Sequence, residues 1–174
     1  MTRLLPWRAA PLASDFDGVY DAQFARLVAA LRLAGADQQT AEDVAQEAFV
    51  RVLVRWRSIS DPAAYVFRTA FRLYGRGRAR AARGRHLIEQ SVLTAVATTE
   101  ETVLRRHAVE EVLDRLSRRQ RECAVLAFYI GCSTEEVAAH LGIRPATVRV
   151  HLHDARAVLS TTDDPLGWES IERY

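Results

Sequence analysis

The stretch LSRRQRECAVLAFYIGCSTEEVAAHLGIRPATVRVHLHDARAVL, residues 116–159, decides the fold. It reads as two capped helices, a tight turn and a third helix. Ser117 with Gln120, and Ser133 with Glu136, have the spacing at which two side chains satisfy each other's orphan amides, so each marks a helix start. Val137, Ala138 and Leu141 then put an apolar stripe on a short helix that Gly142 can end with a positive φ. Ile143 can plug the turn, and Pro145 suits the first turn of the next helix, where a missing amide proton costs nothing. In that helix Val148, Leu152, Ala155 and Leu159 recur at helical spacing and face inward, leaving Arg149, His151, His153 and Arg156 among the outward positions. A helix, a glycine-containing turn and a basic second helix make a helix-turn-helix, whose second helix is shaped for a DNA major groove. The plainer alternative, a corner of a helical core, explains neither the paired caps nor the basic outer face.

Recognition helices dock their N-terminal end first, which makes Thr147, Arg149, Val150 and His151 the candidates for base edges. The guanidinium fork of Arg149 suits a guanine, and Val150 suits a thymine methyl. Arg156, two turns on, and Arg144, just before the helix, are phosphate candidates. The whole stretch resembles region 4 of the sigma-70 family of initiation factors, above all the extracytoplasmic-function (ECF) group. It is similar as well to the C-terminal domain of LuxR-type response regulators.

The chain has 174 residues, is 49% hydrophobic and is long enough to bury a core as one domain or as two small helical ones. Its 24 basic residues are all arginine against 22 acids, so a net charge of +2 conceals whatever clustering exists. No secretory signal and no apolar run near the ~20 residues of a bilayer span is present, which points to a cytoplasmic protein, away from membranes, with Cys123 and Cys132 reduced. Boundaries are expected at 1–14 for an N-terminal tail, 15–89 for a first helical domain, 90–107 for a linker, 108–160 for the helix-turn-helix domain and 161–174 for an acidic tail. The fold class is all-α.

Phe24, Leu27, Val28 and Leu31 describe an amphipathic helix that Gly35 can close. Thr40 is the expected cap of the next helix, with Val44, Ala48, Phe49, Val52, Leu53 and Trp56 inside. Glu42, Asp43, Gln46 and Glu47 lie outside near its start, and Arg51, Arg55 and Arg57 near its end. That polarity follows the helix dipole, as a solvated helix would, but Asp43 and Glu47 repel each other at i, i+4 unless a basic partner arrives. AEDVAQEAFVRVLVRW also resembles the region 2 helix of ECF sigma factors. There a D-x-x-Q-E-x-F pattern, here Asp43, Gln46, Glu47 and Phe49, docks on the clamp of core RNA polymerase. LuxR-type regulators lack this stretch.

Asp61-Pro62 starts another helix, carrying Tyr65, Phe67, Phe71 and Tyr74 beside Arg68, Arg72, Arg76 and Arg80. With Arg78, Arg83 and Arg85 these are seven arginines in eighteen residues without an acid, a stripe that a nucleic-acid backbone would neutralise. Most of the aromatics read as core, with one held for stacking on an unpaired base. In the resembling family this helix and the loop before it melt the −10 element. The resemblance therefore implies single-strand contacts for Ser58, Ile59, Ser60, Asp61, Tyr65, Arg68 and Arg72, and the arginine stripe adds Arg76 as a phosphate contact. The family's Asn and Asp late in this helix are replaced by Arg72 and Arg76, which removes the basis for carrying over a base preference. Gly75 and Gly77 each cost about 1 kcal/mol of helix, so fraying is expected after Leu73. Within the linker Glu100 and Glu101 are acids, and Val109, Val112, Leu113 and Leu116 form a helix packing on the helix-turn-helix. Trp168, Ile171 and Tyr174 mark the tail.

Neither a C-x-x-C nor an H-x-x-x-H spacing joins Cys123, Cys132, His140, His151 and His153, and no phosphate loop or converging carboxylate pair occurs. No enzyme, cofactor or metal is indicated. The expectation is an ECF-type sigma factor that binds core RNA polymerase and promoter DNA, duplex upstream at the −35 element and single-stranded at the −10 element. The family resemblance makes an anti-sigma factor a plausible partner. The alternatives are a LuxR-like regulator with an N-terminal dimerisation or sensory module, and an interaction module whose basic stripe meets an acidic protein.

Overall fold

A computed structural model describes residues 16–84, 109 and 111–159, and the regular structure among them is helical. Three helices form the N-terminal unit: α1 (Phe16–Leu33), α2 (Gln38–Val54) and α3 (Pro62–Gly84), with a 3-10 turn at Trp56–Ser58. The C-terminal unit has a helical turn over 111–114, then α4 (Arg118–Ala124) running on as π-helical Val125–Ile130. α5 (Thr134–Leu141) and α6 (Pro145–Leu159) complete it. The expected tails, the linker with Glu100 and Glu101, and Trp168, Ile171 and Tyr174 lie outside the described residues.

α1 buries Leu27, Val28 and Leu31 and ends as its glycine dictates. Gly35 takes φ 97°, so that the amides of Gly35 and Ala36 donate back to the carbonyls of Arg32 and Leu31. The cap of α2 is Asp37, not Thr40. The Asp37 carboxylate accepts from the Thr40 amide at 2.8 Å and from the Thr40 hydroxyl at 2.7 Å, both of which hold its pKa below the usual value. A carboxylate with two acceptors outcompetes a hydroxyl with one, and Thr40 becomes the third helical residue. The buried row of α2 is Ala41, Ala45, Ala48, Phe49 and Val52. Leu53, expected inside, is 52% exposed. The alanines set the row, since they let α1 and α3 approach closely, and Leu53 falls off it.

Phe49 packs edge-on to Tyr20, with ring centroids 4.9 Å apart, and Phe16 is similarly disposed to Trp56 at 5.5 Å, so aromatics weld α1 to α2. α3 does not fray after Leu73; it continues through Gly75 and Gly77 to Gly84. Tyr74, 3% exposed, anchors it, its hydroxyl donating to the Ala34 carbonyl at 3.4 Å and accepting from Arg78 at 2.8 Å. That burial outweighs the propensity cost of two glycines.

The two units share a continuous core running from Leu27 to Leu159. α3 lies along α5, and α1 meets the π-helical turn. Val112, Leu113 and Leu116 are buried as expected, and Gly131 at φ 83° turns the chain from the π-helical segment into α5. The π-helical turn had no signature in the sequence. It widens the helix where Leu126, whose carbonyl accepts from the Cys132 amide, must stay in the core.

Candidate nucleic-acid interface

The helix-turn-helix is built by its caps. Ser117 and Ser133 each exchange hydrogen bonds with the residue three on, Gln120 and Glu136, and Gly142 adopts φ 67° to end α5. The Ile143 amide then bonds back to the Ala138 carbonyl at 3.1 Å, and α6 begins at once at Pro145. Val148, Leu152, Ala155 and Leu159 are buried. Arg144, Thr147, Arg149, Val150, His153 and Arg156 are exposed, while His151 is half-buried and less available than its neighbours. Val150, at 57% exposure, is an apolar side chain held in water for no reason internal to the fold. The Arg156 guanidinium sits 5.5 Å from the centre of the Phe128 ring, which steadies it at the far end of the helix.

Around α3 the candidate strand-facing residues divide. Tyr65, Thr69, Arg72 and Arg76 line a groove of about 590 Å³ whose other wall is Val50 and Val54 of α2. Phe67, Phe71 and Tyr74 are buried, so Tyr65 is the aromatic left at the surface. Arg68 is half-buried, with a buried Nε that has no hydrogen-bond partner. In the preceding loop Asp61 caps α3 by accepting from the Ala64 amide at 3.0 Å, and the Ser58 hydroxyl donates to the Arg55 carbonyl at 2.9 Å. Ser60 is exposed and Ile59 half-buried. The side chains of Arg83 and Arg85 lie outside the described residues.

On α2, Asp43, Gln46 and Glu47 face solvent together. Their expected repulsion is answered locally: Asp43 accepts from Gln39 at 3.0 Å and Glu47 pairs with Arg51 at 2.6 Å. Such exposed contacts are worth under about 1 kcal/mol and are readily exchanged for a partner's. Phe49 is only 2% exposed and belongs to the core, so it supports this face from behind and offers no contact of its own.

A model of sigma-70 region 4 matches residues 106–159, the helix-turn-helix unit. ECF RNA polymerase sigma factor SigL of Mycobacterium tuberculosis is 34% identical over 169 residues, spanning 91% of this chain and 94% of SigL, the acidic helix included. This chain belongs to the ECF sigma factors. It therefore acts in promoter recognition and transcription initiation with core RNA polymerase, and the LuxR-type reading falls because the likeness runs through both units. Two solved structures share the fold. Sigma factor RpoE of Bartonella quintana, crystallised with the anti-sigma factor NepR, is 20% identical with a TM-score of 0.65 over 92% of this chain and all of that one. CnrH, solved with the cytosolic domain of CnrY, is 25% identical with a TM-score of 0.58 over 84% of this chain and 85% of its own.

Several features of this sigma factor were not legible beforehand. Val50, Leu53 and Val54 make an exposed apolar strip on α2, 52–81% accessible; their i, i+3, i+4 spacing was visible but was indistinguishable from core. His140 is buried at 2% exposure, its Nδ1 hydrogen-bonded to the Glu136 carbonyl. Burial foremost, then Arg68 and Arg72, push its pKa below the ordinary histidine value. Glu122 is buried too, paired with Arg119 at 2.7 Å. Burial drives Cys123 and Cys132 up to about 12, leaving inert protonated thiols. Among the described residues no cluster of metal-ligating side chains occurs, and no helix is long and apolar enough to cross a membrane.

Proposed function

We propose that this sigma factor divides its work among three surfaces. Asp43, Gln46 and Glu47, extended by Leu53, dock on core RNA polymerase. Tyr65, Arg72 and Arg76, with Ser60 at the loop, hold the non-template strand of the −10 element. Thr147, Arg149 and Val150 read the −35 element while Arg144 and Arg156 grip its phosphates. The units responsible are 15–89 and 108–160, joined by 90–107, and the protein works in the cytoplasm without a cofactor. An anti-sigma factor is a fitting partner, since RpoE and CnrH, which share this chain's fold, were each solved with a second protein, which in the case of RpoE is the anti-sigma factor NepR.

The observation that carries this reading is the exposure of an acidic helix face on the same chain as an exposed recognition helix. Asp43→Arg combined with Glu47→Arg should weaken capture of core polymerase at least tenfold and leave helical content unchanged, because neither side chain enters the core. Undiminished capture, with promoter-directed transcription intact in a purified system, would remove α2 as the docking helix.

A further inference from the structure

Val150 is not the only outward residue of α6 that the fold leaves unexplained. Asp154 is the one acid between Gly142 and Leu159, in a stretch that holds Arg144, Arg149 and Arg156. The helix gives it no local reason to be acidic. Val150, His151, Ala157 and Val158, three and four residues away, include no arginine to offset its charge. It stands in the C-terminal half of α6, where the helix dipole lends an anion no support, and aspartate is a poor helix former. Its direction is set by the buried row of Val148, Leu152, Ala155 and Leu159. Thr147, Val150, Asp154 and Ala157 recur at i, i+3, i+7 and i+10 on the opposite side. Thr147, Val150 and Ala157 are exposed and Asp154 is half-buried. Five residues turn a helix by about 140°, so Asp154 and Arg149 leave α6 from different flanks of one outer face.

We infer that Asp154 is a base-reading residue of α6 and that it selects a cytosine. This rests on the reading of α6 as the helix that meets the upstream duplex. Phosphates repel a carboxylate, so on a helix laid in a groove it gains only from a donor on a base edge. In the major groove guanine offers N7 and O6 and thymine offers O4, all acceptors, which an ionised carboxylate cannot use. Adenine has an amino group, but with the N7 acceptor beside it. Cytosine presents its N4 amino group with no acceptor on the same base edge, and a carboxylate oxygen accepts from it. Asp154 lies five residues beyond Arg149, about 7.5 Å along the axis, or roughly two base-pair steps of 3.4 Å. The cytosine therefore falls about two base pairs from the base that Arg149 reads. The same charge acts against wrong sites, since an acceptor-only edge beneath Asp154 leaves its carboxylate desolvated and unpaired.

Selection from promoters randomised through the upstream element, with the full chain assembled on core RNA polymerase, tests this. The parent should enrich cytosine at one position about fivefold, the low end of what one base contact discriminates. Asp154→Asn keeps the size of the side chain and adds a donor, which suits the N6 and N7 of adenine. Preference at that position should then move from cytosine to adenine, with every other position unchanged. Asp154→Ala should level the four bases there and bind non-specific duplex at least as well as the parent, because a charge that phosphates repel is gone. Helical content by circular dichroism should stay the same in both. A merely structural Asp154 gives the opposite pattern, with preference intact at every position and binding or stability lowered across all sequences, and that result overturns the proposal. Arg149→Ala run alongside separates the two readings. If it relaxes a position and neither Asp154 variant does, α6 reads DNA and Asp154 does not. If none of the three variants alters any preference, the upstream-reading role of α6 fails and takes the cytosine with it.

Discussion

Arg149 and Arg156 are both exposed cations on α6, yet their surroundings differ. Arg149 stands exposed in the N-terminal half beside Thr147 and Val150, whereas Arg156 rests over Phe128 about 10 Å further along the axis. A side chain held by an aromatic face is well placed to meet a phosphate at a fixed position; one projecting from the docking end is placed to read. Arg149→Ala should therefore relax preference at one upstream base pair by ~1–3 kcal/mol, while Arg156→Ala should weaken binding evenly across sequences. Selection from randomised upstream elements measures both, and identical preferences from the two variants would remove Arg149 as a reader.

At the scale of single helices, capping and burial decide what propensity leaves open. α2 starts three residues before its threonine because Asp37 provides two acceptors, and α3 continues past two glycines because Tyr74 is buried among its neighbours. Asp37→Ala should cost about 1 kcal/mol by urea unfolding at neutral pH. Because its hydrogen bonds lower the folded-state pKa, the contribution of Asp37 is present above the unfolded value near 3.8 and is lost as pH falls through the folded one. Parent and variant should converge in stability on strong acidification, and a constant difference at all pH values would assign the loss to something other than the charged cap.

For the whole molecule the contact between α3 and α5 joins the two units, and His140 lies in it. Burial, with Arg68 and Arg72 of α3 facing it and Glu136 on its own helix, keeps its folded pKa below 6.5. The unfolded chain thus binds the proton more readily. Stability rises with pH through this window, so that it is complete above about 6.5 and declines as pH falls toward the folded pKa. Stability measured between pH 7.5 and 5.5 should fall for the parent and fall distinctly less for His140→Gln. Equal slopes would show that His140 does not report on the contact.

Local signals were enough for much of this protein. Two capping boxes, Gly142 and the 148–152–155–159 stripe specified the helix-turn-helix, because each is a property of a few neighbouring residues whose hydrogen bonds close within a turn. The acidic face of α2 and the arginine row of α3 were legible for the same reason. Other features required the tertiary structure. Whether Leu53 or Ala45 is inside depends on which neighbours α2 packs against, and the burial of Phe49 depends on the rings of α1. The π-helical turn answers a packing demand made by the core rather than by its own sequence. Arg26, Arg72 and Arg121 pair with carbonyls 104, 67 and 88 residues away. Backbone acceptors carry no residue identity, so no pattern in the chain could announce them; only the closure of one unit on the other brings them within reach.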